Sequence, residues 1–470
     1  MVSIQNAAKK NGGTENYNMT KADLFKQKIN GQNITVIGIG ISNLPLIKYL
    51  TSAGANVTAR DAHDAQWLGD NYKACEELGV KTILGDGYLD NITDNIIFKT
   101  PGMRYDIPQL AEAAERGAQI TSEMETFFEL CPSHIIAVTG SDGKTTTTTL
   151  IHEMLKRAGY KTWLGGNIGK PLLSEVGDMT ESDYAVLELS SFQLHTMKYS
   201  PETAVITNLS PNHLDWHKDY DEYIEAKTNI FLHMSRDNKL ILNADNDDSM
   251  ALKSKVRSKL VTFSRKGNGD ISLKDGAIVY NGRKILDISD IKIPGMHNVE
   301  NYMAAIGAVD GLVDDDCIRD VARSFGGVAH RIELVRTLDG VRYYNSSIDS
   351  SPNRTINTLN VFDKKVIMIA GGKDKGIPYT DIGEPIADRV KTLILIGATA
   401  QKIEDALIAT GRSGEVNIIR AATYPEAVRA AHDNAKDGDV VLLSPASTSF
   451  DMFRNFEERG NLFKELVNKL

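Results

Sequence analysis

The residues that could do chemistry are densest in one run, Ile136–Leu150, which reads IAVTGSDGKTTTTTL. A short apolar strand, Ile135 to Val138, feeds a turn of small residues, Gly140, Ser141, Asp142 and Gly143. Lys144 and a hydroxyl run from Thr145 to Thr149 then lead into a helix with Leu150, Met154 and Leu155 on one face. Backbone N–H groups and the positive end of a helix suit a phosphate, a lysine can cap its outer oxygens, and the first threonine can ligate Mg²⁺. Only Ser141 and Asp142 separate the two glycines, a tighter spacing than the usual P-loop. An ordinary strand-turn-helix corner would account for the glycines, but it has no need of the Lys-Thr pair.

Other candidates stand at strand ends. Glu188 interrupts the apolar strand Ala185 to Leu189. A carboxylate there, in an α/β unit that already holds a phosphate cradle, is placed to bind Mg²⁺ directly or through water; the alternative is an acid facing solvent. The loop from Asn208 to His217 crowds His213, Asp215 and His217 together. A site role is expected for at least one of them, although a single histidine is more often structural. Lys227 lies in a helical stretch and, by itself, reads as a surface lysine. Asn298 and Asn301 are three apart at a helix start, where their amides could meet a base edge or simply cap the helix. His330-Arg331 could reach phosphates. Gly371 to Lys375 follows a strand and could hold a carboxylate, and Ser444 to Asp451 offers amides and hydroxyls to an anion. Both are also what plain connections look like.

These residues need elements to hold them. Asn33 to Ile39 reads as a buried strand, Gly38, Gly40 and Ser42 as a turn, Leu44 to Ala53 as a helix, and Ala55 to Ala59 as a strand ending at Arg60-Asp61. That is the opening of a Rossmann-like unit, but Asn43 stands where the third glycine of GxGxxG would be. Boundaries are expected near Glu123 and at Gly326-Gly327. The fold class is therefore α/β, with three domains in series: a Rossmann-like domain over 33–123, a central P-loop domain with a mostly parallel sheet over 124–327, and another Rossmann-like domain over 328–470. Glycine-punctuated short runs from Leu260 to Ile293 suggest a small β insertion, and residues 1–32 a flexible leader. A chain of 470 residues is too long for one core, and 41% hydrophobic with 24% charged residues is ordinary for a globular protein. The net charge of −9 and the lack of a long basic run argue against nucleic-acid and anionic-membrane partners. Cys75, Cys131 and Cys317 match no zinc spacing, so a reducing cytoplasm is expected.

The tokens TGSDGKTTT, GGNIGKP (Gly165–Pro171), LELSSFQL (Leu187–Leu194), NHLDWH, GMHNVEN, HRIE and SPASTSFDMFRNFEERG, in this order, resemble the Mur ligase family. These are ATP-dependent amide-forming enzymes of peptidoglycan synthesis, and the resemblance runs along nearly the whole chain from about Asn33. LELSSFQL and the SPASTSFD-to-NFEERG block favour D-glutamate as the amino acid added. The resemblance implies UDP-MurNAc-L-alanine and D-glutamate as small-molecule substrates, ATP and two Mg²⁺ sites as cofactors, and a cytoplasmic monomer that binds neither nucleic acid nor membrane. It implies ATP contacts from Gly140, Ser141, Asp142, Gly143, Lys144, Thr145 and Thr146, with Asn298 and Asn301 at adenine and Arg331 at the phosphates. Thr145 and Glu188 would hold one Mg²⁺, His213 and a carbamylated Lys227 the second, and His330 would lie beside the reacting centre. Ile41, Ser42 and Asp61 would lie near UDP, Asn167 near the muramoyl part, and Lys375, Ser449, Phe450 and Phe456 around D-glutamate.

One segment departs from the family pattern. Where many relatives carry Asn-Asp-Ser-Lys-Ala-Thr-Asn, this chain has Asn345-Ser-Ser-Ile-Asp349-Ser-Ser-Pro-Asn-Arg354. Ser346 replaces the acid expected near the ATP ribose and Ile348 the lysine, so Asp349 and Arg354 are the candidates to reach in from displaced positions. The alternative reading is another Mur-type or folylpolyglutamate-type ligase, or a nucleotide-binding paralogue without activity.

Overall fold

The computed structural model describes residues 19–40, 42–374 and 376–470, and the expected site residues Ile41 and Lys375 lie outside them, as does most of the expected leader. The chain divides into two compact units: 1–136, 163–202 and 215–234 in the first, and 137–162, 203–214 and 235–470 in the second. It is an α/β protein with mostly parallel sheets.

In the first unit a five-stranded parallel sheet runs in the order Lys81–Leu84, Asn56–Asp61, Asn33–Ile37, Ile96–Phe98, Gln119–Thr121. The order reverses beside Asn33–Ile37, the place where open α/β sheets bind ligands at the carboxyl ends of their strands. Part of the expected leader is ordered: Lys21–Ile29 is a helix, capped by a Thr20–Asp23 capping box, and it buries Ala22 and Ile29. Two apolar anchors and a reciprocal cap are what make so short a helix hold.

In the second unit Thr203–Ile206, Lys239–Asn243 and Lys259–Ser264 pair in parallel. The expected β insertion is an extension of this sheet: Ile271–Lys274 pairs in parallel with the last of these strands, and Ala277–Tyr280 and Arg283–Asp287 continue it antiparallel. The C-terminal sheet has six strands, in the order Glu333–Leu338, Val341–Asn345, Val440–Leu443, Val366–Ala370, Val390–Leu395, Asn417–Arg420. Only its first pair is antiparallel. Its strands are apolar on both faces, because helices cover both: Tyr344, Met368, Leu393 and Leu442 pack on one side, Tyr343, Ile367, Ile394 and Val441 on the other. Among the described residues no helix is long and apolar enough to cross a membrane.

Candidate active site

The cradle forms as its residues require. The strand His134–Thr139 ends at Gly140, and the helix Lys144–Arg157 starts from Gly143, which has φ +77° and no side chain to cap it. Its first N–H groups therefore face outward, as anion binding needs. Thr207–Ser210 braces the loop. Asn208 Oδ1 accepts from the Asp142 N–H at 2.9 Å, Thr207 Oγ1 donates to Asp142 O at 2.5 Å, and Ser141 Oγ exchanges hydrogen bonds with Ser210. A Cβ on Gly140 would run into Thr207 Oγ1 and one on Gly143 into Asn301 Oδ1, so both glycines are there for close approach as well as for φ. Lys144 folds back over the loop, its Nζ donating to Gly140 O at 3.0 Å and Ser141 O at 2.9 Å. Thr145 is buried at the first turn of the helix, while the Thr148 and Thr149 hydroxyls bond back to the carbonyls of Lys144 and Thr145.

Asn298 and Asn301 are buried against this cradle. Asn301 Oδ1 accepts from Thr147 Oγ1 at 3.3 Å, its Nδ2 donates to Asn298 Oδ1 at 3.1 Å, and Asn298 Nδ2 donates to Pro294 O at 2.6 Å. The two amides buttress the glycine turn, which a reading of the helix start as base-binding does not foresee. Asn208 and Thr207 were missed as cradle residues; their position just past a strand end was the available signal.

Glu188 closes the fully buried strand Tyr184–Glu188 in the first unit. Asn167 holds it, Nδ2 donating to Oε1 at 2.7 Å and the Asn167 N–H to the Glu188 carbonyl at 2.7 Å. Glu188 Oε2 is buried with no hydrogen-bond partner among the described residues. Leaving a buried polar oxygen unpaired costs about 1–3 kcal/mol, and more when it is charged, so the atom fits a cation ligand.

The reading of Lys227 as a surface lysine fails. On the helix Tyr220–Leu232 it is 2% exposed, with Nζ 4.8 Å from the Tyr223 ring. Tyr223, Ala226, Lys227 and Ile230 fall at helical spacing on one buried face, and the lysine occupies a core position in that stripe. Of the crowded loop, His213 and Asp215 are exposed. His213 has φ +54°, with its N–H on Asn212 Oδ1. His217 is buried, its Nε2 2.9 Å from Ser191 Oγ. Glu188, Lys227, His217 and Asn167 belong to the first unit; Thr145 and His213 belong to the second.

At the first sheet's switch point Ser42 is exposed and Asp61 is buried. Asp61 accepts the Ile39 N–H at 2.7 Å, and the His63 N–H and Nδ1 at 2.9 and 2.8 Å. Burial pushes its carboxyl up, but these hydrogen bonds outweigh it and the pKa lies below the usual value. Asn43 explains the missing third glycine: its side chain is tucked under the loop, Nδ2 donating to Ile37 O at 2.8 Å.

In the C-terminal part His330 is buried with φ +61°. Asn345 Nδ2 lies 3.0 Å from its Nδ1. Phe456 meets the ring edge-on at 5.9 Å, and burial lowers the imidazole pKa. Arg331 is half-buried beside it. Ser449 is buried, whereas Phe450 is 60% exposed. Asp349 turns inward: it is buried, accepts from Ser444 Oγ at 2.8 Å, and burial raises its carboxyl pKa. Arg354 stays exposed and donates to Ile348 O at 3.1 Å. The fully buried Arg459, which bonds Ser347 O, Ser347 Oγ and Ser447 O, ties this segment to the Ser444–Asp451 loop.

Residues 138–309 match the family model described as Mur ligase middle domain, and residues 330–447 the one described as Mur ligase, glutamate ligase domain. The chain belongs to the Mur ligase family. Among curated proteins this Mur ligase is 52% identical over 465 residues to UDP-N-acetylmuramoylalanine--D-glutamate ligase of Ruminiclostridium cellulolyticum, covering 96% of this chain and 99% of that one. It is 54% identical over 462 residues to the protein of the same name from Acetivibrio thermocellus, again with 96% and 99% coverage. Among solved structures its fold is similar to that of the UDP-N-acetylmuramate-alanine ligase MurC from Thermotoga maritima, with TM-score 0.58, 19% identity and coverage of 93% and 99%. It is also similar to MurF ligase from Thermotoga maritima in complex with ADP, with TM-score 0.52, 18% identity and coverage of 94% and 97%.

Proposed function

We propose that this Mur ligase joins D-glutamate to UDP-N-acetylmuramoyl-L-alanine at the expense of ATP, in the cytoplasm, as a step of peptidoglycan synthesis. The observation that carries this reading is its similarity, along 96% of the chain, to relatives that bear that name. The γ-phosphate of ATP passes to the terminal carboxylate of the UDP substrate, leaving ADP. The free amine of D-glutamate attacks the acyl phosphate, a proton leaves the nitrogen, and phosphate departs as the amide forms.

The residues suit this chemistry. The Gly143 end of the cradle helix and Lys144 bind and orient the phosphates. Arg331 meets the same charge, and His330 lies beside the reacting centre. Thr145, Glu188, His213 and carbamylated Lys227 are the residues that would serve as Mg²⁺ ligands; Glu188 Oε2, without a hydrogen-bond partner among the described residues, and the buried Lys227 support that role. Bound Mg²⁺ offsets the repulsion between a phosphate and a carboxylate. Ser42, Asp61 and Ile41 serve the UDP end, and Lys375, Ser449, Phe450 and Phe456 the amino acid. The domain limits that go with this reading are 33–123, 124–327 and 328–470, and the working form is a monomer.

Amino-acid-dependent ADP release, measured with a panel of acceptors, tests the assignment. D-glutamate is expected to give the highest turnover; equal or better turnover with L-alanine, diaminopimelate or L-glutamate would overturn it.

A further inference from the structure

Arg104 and Glu222 stand 118 residues apart in sequence and form a two-pronged ion pair in the first unit. Arg104 Nη1 donates to Glu222 Oε2 at 3.0 Å and Nη2 to Oε1 at 2.9 Å. The same guanidinium grips Asp106 through Nε and Nη2, both at 2.8 Å, reaches Trp216 O at 3.2 Å, and lies 5.1 Å from the Trp216 ring centre. Trp216 returns the contact, its Nε1 donating to Gly102 O at 2.7 Å. The turn 100–106 is thus buckled to the segment 216–222 at several points.

Glu222 gathers more partners. Its Oε2 accepts the Lys218 N–H at 2.8 Å, and His195 Nε2 and His217 Nδ1 lie 3.4 and 3.5 Å from its oxygens. Two imidazoles and a carboxylate this close could be taken for a metal site. The Arg104 fork argues otherwise: it engages both carboxylate oxygens and already supplies them with a fixed positive charge. Glu222 is held far below the usual carboxylate range, chiefly by its hydrogen bond to Arg104.

The pair is not needed to start its helix. Asp219 already caps Tyr220–Leu232, Oδ1 accepting the Glu222 N–H at 2.8 Å. What the cluster does touch are the two segments that carry the Mg²⁺-site candidates. Glu222 is on the first turn of the Lys227 helix, and His217 bonds Ser191, which follows the Glu188 strand end. A partly buried ion pair is weak evidence for stability but can fix one arrangement among several. We infer that Arg104, through Glu222 and Trp216, is a positioning residue that sets Lys227 and Glu188 for their ligand roles. The inference rests on the carbamate and Mg²⁺ reading of Lys227 given above.

The test compares wild type with Arg104→Ala, Arg104→Lys, Trp216→Phe and Lys227→Ala, with Arg157→Ala, which breaks a surface pair to Asp320, as control. Two quantities are read on the full chain: the carbamate resonance after equilibration with ¹³C-bicarbonate, and the Mg²⁺ concentration for half-maximal ADP release. Arg104→Ala is expected to raise the Mg²⁺ requirement about tenfold and weaken the carbamate signal, as loss of outer-sphere support does. Arg104→Lys, which keeps the charge without the fork, and Trp216→Phe, which keeps the ring without the Gly102 bond, should fall between, and the control should match wild type. Unchanged carbamate and Mg²⁺ requirement in Arg104→Lys and Trp216→Phe, with a wild-type signal present, overturns the positioning role alone. No wild-type signal together with an active Lys227→Ala overturns the ligand reading, and the positioning role with it.

Discussion

Asn167 grips Glu188 twice, by its side-chain amide on Oε1 and by its backbone N–H on the carbonyl, and so leaves Oε2 as the carboxylate's open acceptor. The glycine before it makes this possible. Gly166 has φ +94°, and a Cβ there would run into the Glu188 carbonyl. Asn167→Ala should therefore raise the Mg²⁺ concentration for half-activation by about tenfold while KM for D-glutamate stays near wild type. Glu188→Gln should be worse, with kcat down by about 10²-fold or more. A Mg²⁺ titration of both variants checks this, and unchanged half-activation in Asn167→Ala would refute it.

The cradle makes a second prediction. Lys144→Ala should abolish product formation with the melting temperature within a few degrees of wild type, since the loop whose carbonyls the ammonium meets is also held by Thr207, Asn208 and Ser210. Gly143→Ala should fail differently, because its strain of about 1–3 kcal/mol falls on the turn itself and displaces Asn301. ATP titration alongside thermal melts separates the two.

A third concerns Gly460. A Cβ there would collide with His330 Nδ1 and come within 3.0 Å of Asn345 Nδ2. Gly460→Ala should push the imidazole off its Asn345 and Phe456 contacts, costing about 1–3 kcal/mol of stability and lowering kcat. His330→Ala should relieve the clash, so the double variant is expected to melt higher than Gly460→Ala alone.

The fourth is a pH effect on stability. Glu123 is buried and burial pushes its carboxyl up to about 7 from 4.5, even though Oε1 accepts the Leu173 N–H at 2.9 Å. The folded form thus holds this proton more tightly than the unfolded one. Its contribution is full below pH 4.5, declines as the pH rises, and is lost above about 7. Glu123→Gln does not titrate, so its melting temperature should gain on wild type between pH 5 and 7 and level off above that. A constant difference across that range would refute the shift.

Much of this was legible in the chain itself, where chemistry and local geometry coincide. The cradle announces itself because glycine turn, lysine, hydroxyl and helix start are contiguous, and Glu188 because a lone acid interrupts an apolar strand. Lys227 was misread from the pattern alone because a charged residue on an apolar helix face looks the same as one at its edge until the neighbours Tyr223 and Ile230 are seen to be buried. The Arg104–Glu222 buckle could not be read at all, since no local rule links residues so far apart. The inward turn of Asp349 was hidden for a similar reason: its partner, Ser444, comes from a different strand end. Ser346 supplies no carboxylate, and the structure spends Asp349 inside the domain; Asp349→Asn should accordingly move stability before it moves KM for ATP.

The folded-back posture of Lys144 has a thermodynamic consequence. A free lysine side chain surrenders about 1.5–2 kcal/mol of rotamer entropy when it is immobilised. Here the Gly140 and Ser141 carbonyls already confine it, so much of that loss is met when the chain folds, and an arriving phosphate finds a charge that has little left to lose.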